Sequence, residues 1–129
     1  MKQVIVLFND SDPVLARVAR VKLKTEAGWD VKITANYDEA LQAVTATGAS
    51  ILVTELILAD NQGRTGFDLI EAIRKDKSPE ELPIVVLSEL RQEEDKAEAL
   101  AKGADYYYAK SEIGIKDLIE RVQEIIGQE

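Results

Sequence analysis

The chain has 129 residues, with 16 Lys and Arg against 24 Asp and Glu, for a formal net charge of −8. That balance argues against a nucleic-acid backbone or an anionic membrane surface as partner, because both recruit clustered cations. Cys and His are both absent from the composition, which excludes disulfides, thiol nucleophiles, thiolate or imidazole metal ligands, and Ser-His-Asp chemistry.

Any metal site must therefore use oxygen ligands, a donor set that suits Mg²⁺ or Ca²⁺. The length is that of one domain, 1–129, with no output domain expected after it. The opening apolar run in MKQVIVLFND is too short for a secretion signal or a membrane span. A soluble cytoplasmic protein is expected.

In chain order, the first predicted strand is Val4–Phe8, β-branched and closed by the polar run Asn9–Asp12. Pro13 suits the first turn of a helix. Val14, Leu15, Val18 and Val21 follow at helical spacing, and Gly28 is the stop. Val31–Ala35 is the second strand. Asn36 with Glu39 reads as a capping box for a helix carrying Leu41 and Val44 and ending at Gly48. Ile51–Val53 is the third strand, and Phe67, Ile70 and Ile73 mark the third helix. After a polar loop, Lys75–Leu82, and Pro83 comes the fourth strand, Ile84–Leu87. Ala97, Leu100 and Ala101 mark a weaker helix that stops at Gly103. Tyr106–Ala109 is the fifth strand. Ile115, Leu118, Ile119, Val122, Ile125 and Ile126 then give the cleanest helical stripe. Trp29 reads as a packing residue between loop and strand.

The pattern is (βα)₅, an α/β doubly wound three-layer sandwich around a five-stranded parallel sheet. Ligands of such sheets sit at the carboxyl ends of the strands. That singles out Asn9, Asp10, Ser11 and Asp12, then Glu55, then Ser88 and Glu89, then Lys110 and Ser111. Converging, they form a small cleft with carboxylates, a hydroxyl and an ammonium.

The stretches VIVLFNDSDP, ANYDEAL, ILVTEL, GFDLIEAIR, LPIVVLSE and GADYYYAK carry a resemblance, as does the spacing from Gly66 to Ser88 to Lys110. Over roughly Gln3 to Ile126 the chain resembles the receiver domains of two-component response regulators. The resemblance implies the flavodoxin-like form of the sandwich and a phosphorelay signalling module, not an enzyme. It places Glu55 at the phosphoacceptor position, Ser88 and Lys110 at the phosphate site, and Tyr107 at the aromatic switch. It assigns weak Mg²⁺ binding to Asp10, Asp12 and Glu55. The register of the acidic pair stays open: counting from the strand gives Asn9 and Asp10, and counting back from Pro13 gives Asp10 and Ser11 beside Asp12. Asp10 and Asp12 also suit a plain helix-capping role. The implied interaction face is the fourth helix, fifth strand and fifth helix, with Tyr106 and Tyr108, facing a histidine kinase, an effector or a second copy.

The departures from the family pattern set the expected mechanism. The acceptor is Glu where Asp is usual, one or two of the acid-pair positions are neutral in either register, Glu89 replaces a small residue, and Ser111 replaces a Pro. The Ala59–Thr65 loop is about three residues longer than usual. A Glu carboxylate reaches roughly 1.5 Å further than that of Asp, toward Lys110 and Ser88. The expectation is an atypical, stand-alone receiver that is not phosphorylated and is held active-like by Glu55. The rivals are a working phosphoacceptor using Glu55 or Asp60, and a flavodoxin-like cofactor domain. The second lacks any Gly-rich phosphate loop, since FNDSDP is acidic.

Overall fold

The computed structural model describes residues 4–127; Gln3, at the start of the resemblance, lies outside them. The elements are β1 (Ile5–Asn9), α1 (Pro13–Ala27), β2 (Asp30–Thr34), α2 (Tyr37–Thr47), β3 (Ile51–Thr54), α3 (Gly66–Arg74), β4 (Ile84–Ser88), α4 (Glu93–Lys102), β5 (Tyr106–Ala109) and α5 (Ile115–Gly127). The strands form one sheet in the order β2-β1-β3-β4-β5, and every neighbouring pair is parallel. The expected (βα)₅ sandwich is the observed fold.

Two apolar layers cover the sheet. On one face α1 and α5 pack on Val6, Phe8, Ile51, Val53, Val85 and Leu87. On the other, α2, α3 and α4 pack on Leu7, Leu52, Ile84 and Val86. Consecutive residues of β1, β3 and β4 thus enter opposite layers, which is why these strands read as unbroken apolar runs. The α5 stripe holds as expected: Leu118, Ile119, Val122, Ile125 and Ile126 are all buried, each contributing roughly 1.5–3 kcal/mol of apolar transfer. Trp29 packs at the margin of the same layer.

Two helix faces differ from the sequence expectation. In α1 the buried residues are Ala16, Ala19 and Leu23, while Val14 and Val21 are 60% and 57% exposed. The alanines let the helix lie close on the sheet, so the bulkier valines point outward. In α4 only Ala99 is buried among the residues of the helix; Leu100 is exposed, and so are Ala97 and Ala101. That helix touches the core by one methyl-bearing position and presents the rest to solvent.

The turn chemistry fits the expectation. Gly28 and Gly48 end α1 and α2 in the left-handed region at φ 72° and 64°, a conformation that costs a side-chain-bearing residue energy. Asn36 caps α2 by accepting from the Glu39 N–H at 2.9 Å, and Glu39 returns the favour one residue earlier than expected, accepting from the Ala35 N–H at 2.9 Å. Thr65 and Asp68 form a complete capping box at the start of α3.

Candidate functional site

The strand ends bring the cleft together. Lys110 follows β5, and its Nζ lies 2.8 Å from Asp10 Oδ2 and 3.2 Å from Glu55 Oε1. Asp10 and Glu55 are each buried to 4% exposure, so two carboxylates share one ammonium at the mouth of the sheet. Burial alone would lower the Lys110 pKa. The hydrogen bond and charge of Asp10, then the charge and hydrogen bond of Glu55, outweigh it and hold the ammonium above its ordinary value.

Glu55 is the centre of the arrangement. Its Oε2 accepts from the Ser88 hydroxyl in a short hydrogen bond, from the Leu56 N–H at 2.6 Å and from the Ile57 N–H at 3.2 Å. Its Oε1 accepts from the Glu89 N–H at 3.2 Å and pairs with Lys110. Both oxygens are therefore enclosed by main-chain donors, a hydroxyl and a cation, the donor types that hold a charged oxygen. Ser88 is held in turn, because its Oγ accepts from the Leu90 N–H at 3.1 Å. The Glu89 side chain, expected to add repulsion, is exposed, and the residue enters the site through its backbone N–H instead.

Below the carboxylate the backbone is fixed. Thr54 Oγ1 donates to the Glu55 carbonyl at 3.0 Å. Asn9, completely buried, donates from Nδ2 to Thr54 Oγ1 at 3.1 Å and accepts from Thr34 Oγ1 at 2.8 Å. These three residues sit opposite one another in the strand register. Gly66 closes the other side: a Cβ there would lie 2.5 Å from the Glu55 carbonyl oxygen and 2.7 Å from Leu56 Cα, so the approach of α3 to the Glu55–Leu56 peptide requires glycine.

The acidic run after β1 divides between the sheet, the cleft and the start of α1. Asn9 is the last residue of β1 and is spent inside the sheet, while Asp10 faces the ammonium. The position after Asp10 is Ser11, which is exposed. Asp12 does not join the cleft carboxylates in a metal set. It is the N-cap of α1, its Oδ1 accepting from the N–H groups of Val14 and Leu15 at 3.0 and 3.2 Å. Among the described residues no group of three acidic side chains is placed to hold a metal ion. Of the expected metal set, Asp12 is engaged at the start of α1, and Asp10 and Glu55 carry a lysine that Mg²⁺ between them would have to displace.

Tyr107 lies beside this cleft, its hydroxyl donating to the Leu90 carbonyl at 2.7 Å, and burial pushes its pKa up. Tyr106 and Tyr108 are half-buried against the α1–α5 layer, so much of their ring area serves packing. Tyr108 also lines a groove of about 430 Å³ with Arg91, Lys96, Ile113, Asp117 and Arg121, on the α4–β5–α5 side. Tyr106 does not line it. Asp60 is held elsewhere, by Arg64. The guanidinium bonds both Asp60 oxygens at 2.8 and 3.0 Å and forks onto Asp38 at 2.8 and 3.0 Å. It also stacks 4.2 Å from the centre of the Tyr37 ring. The Arg64 hydrogen bonds hold the Asp60 carboxyl down at about 2.

Sequence reasoning missed the backbone donors of Leu56, Ile57 and Glu89, and the Asn9 ladder. Gly66 was visible only as a spacing marker, although a glycine opening a helix beside a strand end is a signal of close backbone approach.

Sheet order and cleft position together define a doubly wound signalling domain. The response regulator receiver domain family matches residues 6–123, and the chain belongs to that family. A solved receiver domain of the Francisella response regulator 1452 superposes with a TM-score of 0.83 at 27% identity, covering 98% of each chain. A receiver domain protein from Methanospirillum hungatei shares the fold, with a TM-score of 0.86 at 22% identity, covering 98% of this chain and 96% of that one. The DNA-binding response regulator MtrA of Mycolicibacterium smegmatis is 31% identical over 118 residues, 92% of this chain and 48% of that protein. The chain spans about half the length of such regulators, and 15% of a gliding motility regulatory protein of Myxococcus xanthus that is 27% identical over 96% of this chain. Receiver domains are signalling modules of phosphorelays and commonly bind Mg²⁺. Among the described residues no helix is long and apolar enough to cross a membrane.

Proposed function

We propose that this is an atypical receiver that signals without being phosphorylated, its Glu55 carboxylate standing where a phosphoryl group would sit. The supporting observation is the enclosure of Glu55 by the Ser88 hydroxyl, the Lys110 ammonium and the N–H groups of Leu56, Ile57 and Glu89. To attack a phosphodonor one oxygen must give up its partners, Ser88, Leu56 and Ile57 on Oε2 or Lys110 and the Glu89 N–H on Oε1, and phosphoryl transfer depends on a positioned nucleophile. Asp60 offers no substitute, because its oxygens are committed to Arg64.

The output is a protein surface. The α4–β5–α5 side carries the groove with Tyr108, and Tyr107 connects it to the cleft through Leu90, whose N–H donates to Ser88. A histidine kinase, an effector or a second copy of the chain is the partner class this face suits. Incubation with a small-molecule phosphodonor and Mg²⁺, read by intact mass, is expected to leave the mass unchanged. A stoichiometric gain of one phosphoryl group, lost in Glu55→Gln, overturns the reading.

A further inference from the structure

We propose that Lys110 serves this cleft as a built-in cation, so that the active-like arrangement forms and persists without a divalent metal. The inference rests on the reading of Glu55 as a fixed internal anion, and it adds the identity of the counter-charge.

Each carboxylate oxygen of Asp10 and Glu55 is already engaged. Asp10 Oδ1 accepts from the Asp12 N–H at 2.9 Å, and Asp10 Oδ2 holds Lys110 at 2.8 Å. Glu55 Oε1 shares Lys110 and the Glu89 N–H, and Glu55 Oε2 is filled by Ser88, Leu56 and Ile57. The carboxylate that would make a second acid beside Asp10 is replaced by Ser11, whose hydroxyl carries no charge, and Asp12 is spent as a helix cap.

The charge balance points the same way. Two carboxylates and one ammonium leave a net −1, one negative charge fewer than an acid in place of Ser11 would give, so the attraction for a divalent ion is correspondingly weaker. A cation bridging Asp10 and Glu55 would have to take the place of the ammonium, because Nζ already bridges them. Mg²⁺ also demands near-octahedral oxygen ligation and sheds water reluctantly, whereas a lysine needs only two or three acceptors. The extra methylene of Glu55 lets one side chain span from the end of β3 to both Ser88 and Lys110.

The test is a titration of the ¹⁵N-labelled protein with Mg²⁺, and separately with paramagnetic Mn²⁺, followed at the backbone amides of Asp10, Ser11, Leu56, Ile57, Glu89 and Lys110. In the wild type these amides are expected to stay unshifted and unbroadened at millimolar metal. In Ser11→Asp/Glu55→Asp, which restores an acidic pair and shortens the acceptor, they are expected to broaden with Mn²⁺ and shift saturably with Mg²⁺. Saturable shifts at these amides in the wild type overturn the proposal. So does a folded double variant that gains no response, because Ser11 and Glu55 are then not what excludes the ion. Should the double variant not fold, Ser11→Asp alone carries the same comparison. Intact mass in the presence of a phosphodonor separates the two readings: metal shifts without added mass overturn the built-in cation alone, and added mass overturns the fixed anion.

Discussion

Two cations anchor the two ends of the sheet, and they are used differently. At the amino end Arg74 of α3 donates to the carbonyls of Gly103, Lys77 and Leu82 at 2.8, 3.3 and 2.8 Å and to Asp105 at 2.8 Å. At the carboxyl end Lys110 meets two carboxylates. The planar fork is satisfied mostly by main-chain oxygens whose places the fold dictates, so it ties α3 to the starts of β4 and β5 and does nothing else. The lysine is a point charge on a flexible stem, facing two carboxylates that are themselves held by main-chain N–H groups. At the amino end one side chain reads fixed main-chain acceptors, whereas at the carboxyl end main-chain donors and one lysine hold a pair of carboxylates.

This contrast is sharpest in stability. Arg74→Met keeps the stem and removes the fork, leaving the carbonyls of Gly103, Lys77 and Leu82 without the guanidinium and, among the described residues, Asp105 with only the Ile84 N–H as donor. We expect a loss of ~3 kcal/mol, read by urea denaturation, with the cleft amides unshifted in NMR spectra. Comparable cleft shifts would show that the two ends are coupled. Gly66→Ala attacks the carboxyl end instead. The added methyl meets backbone that cannot yield, at 2.5 Å from the Glu55 carbonyl oxygen, and about 2 kcal/mol should be lost, now with the amides of Leu56, Ile57 and Glu89 displaced.

Lys110→Met should cost about 2 kcal/mol: it leaves two carboxylates of 4% exposure each without their cation, and water reaching the 21%-exposed lysine side chain offsets part of that. Its pH dependence has a definite sign. The folded pKa of Lys110 lies above its ordinary 10.5, so the wild-type advantage is fully present below that value and vanishes as pH rises through the folded pKa. Urea midpoints of both proteins across this range check it. The smallest effect is at the Arg64 latch. With Asp60 depressed from 3.8 to about 2, the advantage of wild type over Arg64→Gln should be present above pH 3.8 and close as pH falls through about 2. A gap that persists at the acid end would assign the latch to Tyr37 stacking instead of charge.

The sheet was legible because its strands are short apolar runs between polar ends; only the boundaries moved, β1 running Ile5–Asn9 where Val4–Phe8 was expected. Lys110, Ser88 and Glu55 were legible because each follows a strand and strand ends converge. The outward turn of Val14 and Val21 was not, since hydrophobicity marks which residues can be buried, and the closeness of α1 to the sheet then selects alanine. Neither arginine was foreseeable: Arg74 and Arg64 find carboxylates 31 and 26 positions away, at helix ends where a solvated charge looks the same in the sequence. Asp12 carried two readings, cap and metal ligand, and the helix start claimed it.

The buried row Thr34–Asn9–Thr54 crosses three adjacent strands at matched positions. In a sheet whose other central contacts in β1 and β3 are apolar, a slide of β2 or β3 by one residue would strand an amide among apolar groups. The row thus acts as an alignment key during assembly: apolar collapse can bring the strands together in several offsets, and only the native one lets the three polar side chains satisfy each other. Because the key ends on the carbonyl of Glu55, correct alignment of the sheet and correct aim of its central carboxylate are achieved in the same step.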